Sequence, residues 1–333
     1  MKNKFLFTNG SVLLILVVIS VTIGFFIGEK TAPKNVTSNQ SLRESNDEYK
    51  FIHPLLAVAR QDINENSPSL SQLGKDVQNY ISDEKSSGLL SNASVYFIDY
   101  KKNGQAFAIN ENDKYAPASM LKVVIMIGYL KESDSDNKIF SNSYVYNSTL
   151  ANSLQDVPFE NPSSLKVGQS YTVKELINKM IIDSDNGAMS LLLYNIDDSY
   201  LSEVYKNLGM SGPVDNSSDY TISAKDYSLF FRVLYNSTYL SRESSEFALS
   251  LLSKTTFIDG LVAGVPDGTT VSHKFGEHPN GNIDNITSIE LHDCGYVYAK
   301  DSPYLLCVMT KSKTLDESKK VISNISKIVY NGR

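Results

Sequence analysis

Residues Ala93 to Asn110 read ASVYFIDYKKNGQAFAIN. The first half alternates in part and is rich in β formers. Lys101-Lys102-Asn103-Gly104 carries an Asn-Gly turn signal, and Gln105–Asn110 returns. The stretch reads as a β-hairpin. Strand patterns come back only at Thr269–Phe275, Thr287–Leu291, Gly295–Ala299 and Tyr304–Thr310. Helical patterns fill the interval: Ser119–Lys131, Val173–Asp183, Gly187–Asn195, Ser199–Leu208, Ser223–Tyr235 and Arg242–Leu252. One more helix precedes the hairpin within Leu70–Ser86, where Leu70, Leu73, Val77, Tyr80 and Ile81 follow helical spacing. A last helix fits Leu315–Tyr330. Strands at both ends can share one antiparallel sheet if the ends meet, with the middle helices packed on it as a second lobe. The expected class is α+β over residues 51–333, not an alternating β/α chain.

Outside that domain the chain changes character. Lys2 and Lys4 precede an uncharged apolar run, Ser11 to Ile27. At about 1.5 Å per residue this run nearly crosses a hydrocarbon core of about 30 Å. It predicts a transmembrane signal anchor over residues 11–28, with residues 1–10 cytoplasmic and the domain outside. A cleaved signal peptide is the alternative. The run is long for one, and Gly28-Glu29-Lys30 makes a poor cleavage site. Residues 29–50 are polar and aperiodic and read as a flexible tether.

Composition narrows the function. With 41% hydrophobic and 20% charged residues, the chain is neither disordered nor fibrous. The formal net charge of −6 argues against a nucleic-acid partner. Two cysteines, Cys294 and Cys307, are too few for a disulfide scaffold or a cysteine zinc cage. If the turn at Lys300-Asp301-Ser302-Pro303 is tight, they lie diagonally on one face, which favours two buried free thiols.

Three short motifs carry the chemistry. In Ser119-Met120-Leu121-Lys122, serine and lysine share a helix face, so the amine reaches the hydroxyl. Burial among Val123, Val124 and Met126, and the charge of Lys274, are expected to leave Lys122 neutral enough to act as base. Ser184-Asp185-Asn186 lies between two apolar helices. It is either a turn with a helix cap or a second hydroxyl and an amide facing a cleft. His273-Lys274-Phe275-Gly276-Glu277 ends a strand pattern. There Gly276 permits close approach of a substrate backbone, and the Glu277 amide can donate to an oxyanion.

Taken in this order, S-x-x-K, S-D-N and K-x-G form a specific set. Over about Leu70 to Tyr330 the chain resembles the serine β-lactamase and penicillin-binding-protein superfamily, most of all its class A β-lactamase branch. The resemblance implies an antiparallel five-stranded sheet flanked by helices, plus an all-helical lobe. It implies acyl transfer through a serine ester, with Ser119 as nucleophile, Lys122 as base and Ser184 as relay. Asn186 would contact substrate and Lys274 would anchor a carboxylate. The backbone amides of Ser119 and Glu277 would form the oxyanion hole. No cofactor or metal is implied, and a monomer is expected.

Two departures stand out. Phe275 occupies the place where the family has Thr or Ser, whose hydroxyl helps hold the substrate carboxylate. The family's E-x-x-x-N element supplies a glutamate for deacylation. The matching stretch, Gly209–Ile222, has Asp215 and Asp219 but no Glu. Other candidates are weaker. His292-Asp293-Cys294 has the residue types of a thiol hydrolase, but neighbours in a strand point to opposite faces. His273 and His278 have no carboxylate-rich partner that would make a metal site. The expectation is therefore a membrane-tethered, extracytoplasmic serine hydrolase that opens a β-lactam or related amide and deacylates slowly. The alternatives are a peptidoglycan D,D-peptidase and a binding or sensor module on the same fold.

Overall fold

Strands from both ends of the domain meet in one sheet. The computed structural model describes residues 49–53, 68–100, 105–153, 163–213, 220–282 and 285–333. In chain order its main elements are α1 (Pro68–Ser86), β1 (Leu90–Asp99), β2 (Gln105–Ile109) and α2 (Lys122–Ser135). Then come α3 (Val173–Ile182), α4 (Asn186–Asn195), α5 (Asp198–Asn207), α6 (Ala224–Tyr235) and α7 (Arg242–Leu252). The chain closes with β3 (Thr270–Asn282), β4 (Asn285–Tyr298), β5 (Tyr304–Ser312) and α8 (Leu315–Gly332). The five strands run in the order β2-β1-β5-β4-β3, and every pairing is antiparallel. The predicted α+β class and split sheet are both observed.

The sheet is covered on both faces, which explains its sequence. β5 is buried at every position except Lys311, so it reads as a continuous apolar run and not an alternation. On one face Val95, Phe97, Leu306 and Val308 pack with Leu73, Val77 and Ile81 of α1 and with Val321, Ile325 and Val329 of α8. On the other, Tyr96, Cys294, Tyr296, Cys307 and Met309 join the core of the helical lobe. The lobe is built around α2, whose residues 122–130 are all buried; a helix apolar all round is a central one. Capping boxes at Thr172/Glu175 and Thr314/Glu317 start α3 and α8.

The structure differs from the sequence reading at several places. Thr287–Leu291 and Gly295–Ala299 are parts of one strand, β4. Helix α2 starts at Lys122, after a 3-10 turn over Ala118–Leu121. Cys294 and Cys307 are not free thiols: they pair directly across β4 and β5 and form a disulfide. The observed connection opens from a Val297–Tyr304 pair, longer than a tight turn. That slides the register by two residues and replaces the diagonal by a direct pair. The proposed cytoplasmic segment, anchor and most of the tether lie outside the described residues, as do Lys101–Gly104. Among the described residues no helix is long and apolar enough to cross a membrane.

Candidate active site

Lys122 occupies the first turn of α2 and is fully buried. Its Nζ lies 2.8 Å from Ser119 Oγ, 3.0 Å from Ser184 Oγ, 2.6 Å from Ser184 O and 2.5 Å from Asn186 Oδ1. Lys274, on edge strand β3, is also fully buried and donates to the same Ser184 Oγ at 3.0 Å and to Phe275 O at 3.1 Å. Ser184 Oγ thus bridges two lysines. Burial, then the charge of Lys122, holds the Lys274 ammonium well below the ordinary lysine range; Asp293 opposes this. Five of the seven residues singled out in the sequence meet in one hydrogen-bonded cluster: Ser119, Lys122, Ser184, Asn186 and Lys274.

Each hydroxyl is held by unusual backbone. Ala118, directly before Ser119, has φ +48°, and Ser184 itself has φ +57°. Neither is glycine, so each sits in a sparsely populated region that costs about 1–3 kcal/mol. The surroundings enforce both. Asp185 caps α4 through Ala188 N and accepts from Ser163 Oγ, Ser164 N and Ser164 Oγ. Burial alone would raise its carboxyl, but these hydrogen bonds outweigh it and keep it below the usual range. The middle residue of Ser184-Asp185-Asn186 is therefore the structural anchor, and its neighbours face Lys122.

The turn that carries Ser119 is clamped from the sheet. Glu290 Oε2 accepts from Ala116 N at 2.9 Å, and His292 Nε2 donates to Ala116 O at 3.1 Å. The amide of Thr310 reaches His292 Nδ1 at 3.3 Å, which fixes a neutral tautomer. Burial pushes His292 down to about 4, against the opposing pull of Glu290. Tyr227 OH donates to Met120 O at 2.9 Å on the far side. Sequence reading missed this clamp; the partners are backbone groups far away in the chain and leave no motif.

Gly276 makes a close approach, but to the protein and not to open cleft. A Cβ there would clash with Pro117 O and stand 2.7 Å from Met120 Cγ. Its absence lets β3 lie against the Ser119 turn and brings the Glu277 backbone beside it. Among the other candidates, His273 Nδ1 lies 2.8 Å from Asp293 Oδ1, and Asp293 Oδ2 also accepts from Leu261 N. With Cys294 in a disulfide, no thiol hydrolase can form there. Among the described residues no cluster suits a metal ion. Asp215 and Asp219 lie outside the described residues.

A cleft of about 740 Å³ opens over Ser119, Ser184 and Asn186. Its β3 wall presents Phe275 and Glu277, and Phe257, Leu315 and Lys319 also line it. A buried lysine touching a serine hydroxyl at the mouth of such a cleft can take the serine proton, as nucleophilic catalysis requires.

A family model described as the β-lactamase enzyme family matches residues 72–332. Among solved structures, PBP-A aligns at 21% identity over 79% of this chain and 96% of its own, with a TM-score of 0.65. A mutant of it has been solved as an acyl-enzyme complex with penicillin G. A β-lactamase from Chitinophaga pinensis aligns at 17% identity over 78% of this chain and 98% of its own, TM-score 0.66. The TLA-1 extended-spectrum β-lactamase aligns at 17% identity over 79% and 98%, TM-score 0.67. At these identities the likeness shows the fold. No curated protein matches.

Proposed function

Because the chain belongs to the β-lactamase enzyme family, and is a β-lactamase-like serine hydrolase acting on an amide bond, we propose that it works through an ester on Ser119. The observation that carries this reading is Lys122 Nζ at 2.8 Å from Ser119 Oγ inside a buried ring of oxygens. Lys122 takes the hydroxyl proton as Ser119 Oγ attacks the carbonyl carbon. The Ser119 and Glu277 amides receive the developing oxyanion. Ser184, in contact with both lysines, passes the proton to the departing nitrogen. Asn186 Oδ1 is engaged by Lys122, so its Nδ2 is the end that meets a substrate carbonyl.

The substrate in this reading is a β-lactam or a related amide. The acyl-enzyme named for PBP-A supports it. Release is slow, because no glutamate stands in Gly209–Ile222. The domain is held outside the cell by the 11–28 anchor. A disulfide at Cys294–Cys307 supports this, since such bonds persist in oxidising compartments. Intact-mass spectrometry after incubation with a penicillin is the test. Wild type should gain one acyl mass and Ser119→Ala none. An adduct that persists on the alanine variant would remove Ser119 from the role. No adduct and no turnover of a chromogenic cephalosporin or D-Ala-D-Ala peptide would favour a binding module.

A further inference from the structure

Part of the cleft wall is aromatic. Phe275 and Phe257 stack with centroids 4.2 Å apart and planes 20° apart; both are half-buried and both line the cleft. Three donors around them, on Lys274, Thr256 and Lys319, are already engaged; the other side-chain donors of the β3 wall, His278 and the buried, unpartnered amide of Asn280, stand three and five residues further along the strand. Lys274 Nζ gives hydrogen bonds to Ser184 Oγ and Phe275 O and sits 4.1 Å from the Phe275 ring centroid. The Thr256 hydroxyl donates to Ile182 O at 3.1 Å. Lys319 is paired with Asp259 at 2.9 Å. Among the described residues no arginine lines the cleft, and its one carboxylate, Glu277, would repel an incoming anion.

We propose that Phe275 and Phe257 form a specificity wall that selects substrates whose group on that side of the scissile amide is uncharged and apolar or aromatic, and disfavours a free carboxylate there. This rests on the acyl-Ser119 reading. In the step selected, the Ser119 Oγ–carbonyl bond forms, the amide C–N bond breaks, and the serine proton ends on the leaving nitrogen. A carboxylate seated on two ring faces loses its hydration and gains no hydrogen bond, whereas an ester or aryl group buries apolar area at little cost.

The test compares benzylpenicillin with its methyl ester, which differ in that one charge. Full-length protein in detergent micelles is mixed with each, and adduct formation is timed by intact mass. Each rate is divided by the compound's own rate of hydroxide opening. The ester should acylate at least about tenfold faster than the acid. Phe275→Thr, which replaces the ring by a hydroxyl, should narrow or invert that ratio. Phe275→Leu keeps an apolar wall and should retain it, so an unfolded threonine variant leaves the comparison standing. Equal or faster acylation by the acid in wild type overturns the proposal alone. A ratio unchanged in both variants removes the wall from its role. No adduct from either compound overturns the acyl-Ser119 reading as well.

Discussion

An ammonium has three protons, yet four oxygens lie within 3.0 Å of Lys122 Nζ. Ser184 O and Asn186 Oδ1 can only accept. When it has given up its third proton, the amine satisfies both with the two that remain and can turn its lone pair to a hydroxyl, which is the base geometry. Arginine keeps the charge but cannot take a proton. Lys122→Arg should therefore lower the acylation rate about as far as Lys122→Ala, by roughly 10²–10⁴-fold. Quenched time courses read by mass would show it, and an arginine variant within about tenfold of wild type would exclude the base role. His292 gives a pH prediction. Its ordinary value of 6.5 is lowered to about 4 by burial. Above 6.5 it is neutral in both folded and unfolded chains. Between 6.5 and 4 the unfolded chain binds a proton that the folded one refuses. Stability should thus fall as pH falls through that window, by up to about 3 kcal/mol from this group. Denaturant midpoints at pH 7 and 4.5 should separate less in His292→Gln than in wild type. An equal separation would assign the pH dependence to other groups.

At the scale of elements, the site depends on how closely edge strand β3 lies against the Ser119 turn. Gly276→Ala puts a Cβ into Pro117 O and Met120, and the atoms that must yield are partly backbone. Overpacking of this kind costs about 1–3 kcal/mol. Because the displaced turn carries the nucleophile, acylation should drop by roughly 10²-fold, the loss expected of a misplacement of about 1 Å. A melting curve and an acylation time course on one preparation would check both. Normal acylation would mean that the turn adjusts without moving Ser119. The elements themselves were largely legible, because apolar spacing marks α3, α6 and α8, aromatic and β-branched residues mark β1, and an unbroken apolar run marks β5. β4 read as two strands because His292 and Asp293 look like a break. Buried, they are satisfied by Ala116 O, Thr310 N, His273 and Leu261 N, so the strand runs through. The three motifs located the five clustered residues, since short spacing on a helix start or strand is local information. The Glu290–His292 clamp, the Phe257–Phe275 stack and the cysteine pairing were not legible. Each depends on register between segments distant in sequence, and a slip of two residues at one turn decides whether Cys307 meets Cys294 or stands diagonal to it.

For the whole molecule, the sheet and the helical lobe meet where the turn before α2 lies against Lys274–Gly276 of β3, so the cleft draws on both. Chain entry to this body is fixed as well: Glu246 on α7 accepts from the amides of Lys50, Phe51 and Ile52, and His53 N donates to Tyr235 O. Acylation draws on Ser119, Lys122, Ser184 and two backbone amides, all among the described residues. Deacylation needs a water deprotonated beside the ester, and general-base help there is worth about 10²–10⁴-fold. Glu277 is the one carboxylate among the described residues that line the cleft, but it is poorly placed for this. Its strand partner Leu291 belongs to the core on the α1 and α8 side, and Lys319 of α8 is the charge that acts on it. Burial raises the Glu277 carboxyl, which weakens its resistance to protonation but does not bring it to the other side of the ester. Asp215 and Asp219 are the remaining carboxylates in the Gly209–Ile222 stretch, each one methylene shorter than glutamate. We expect acylation to outrun release. A β-lactam chromophore should show a burst equal to the enzyme concentration, then a slow steady rate, with the adduct trapped by acid quench and visible by mass. A fast linear trace with no trapped adduct would mean that another base is at work. Asp219→Asn is then the first variant to make, because Asp219 adjoins the Tyr220–Ser223 segment that leads into α6; if that variant restores the burst, Asp219 is the missing base.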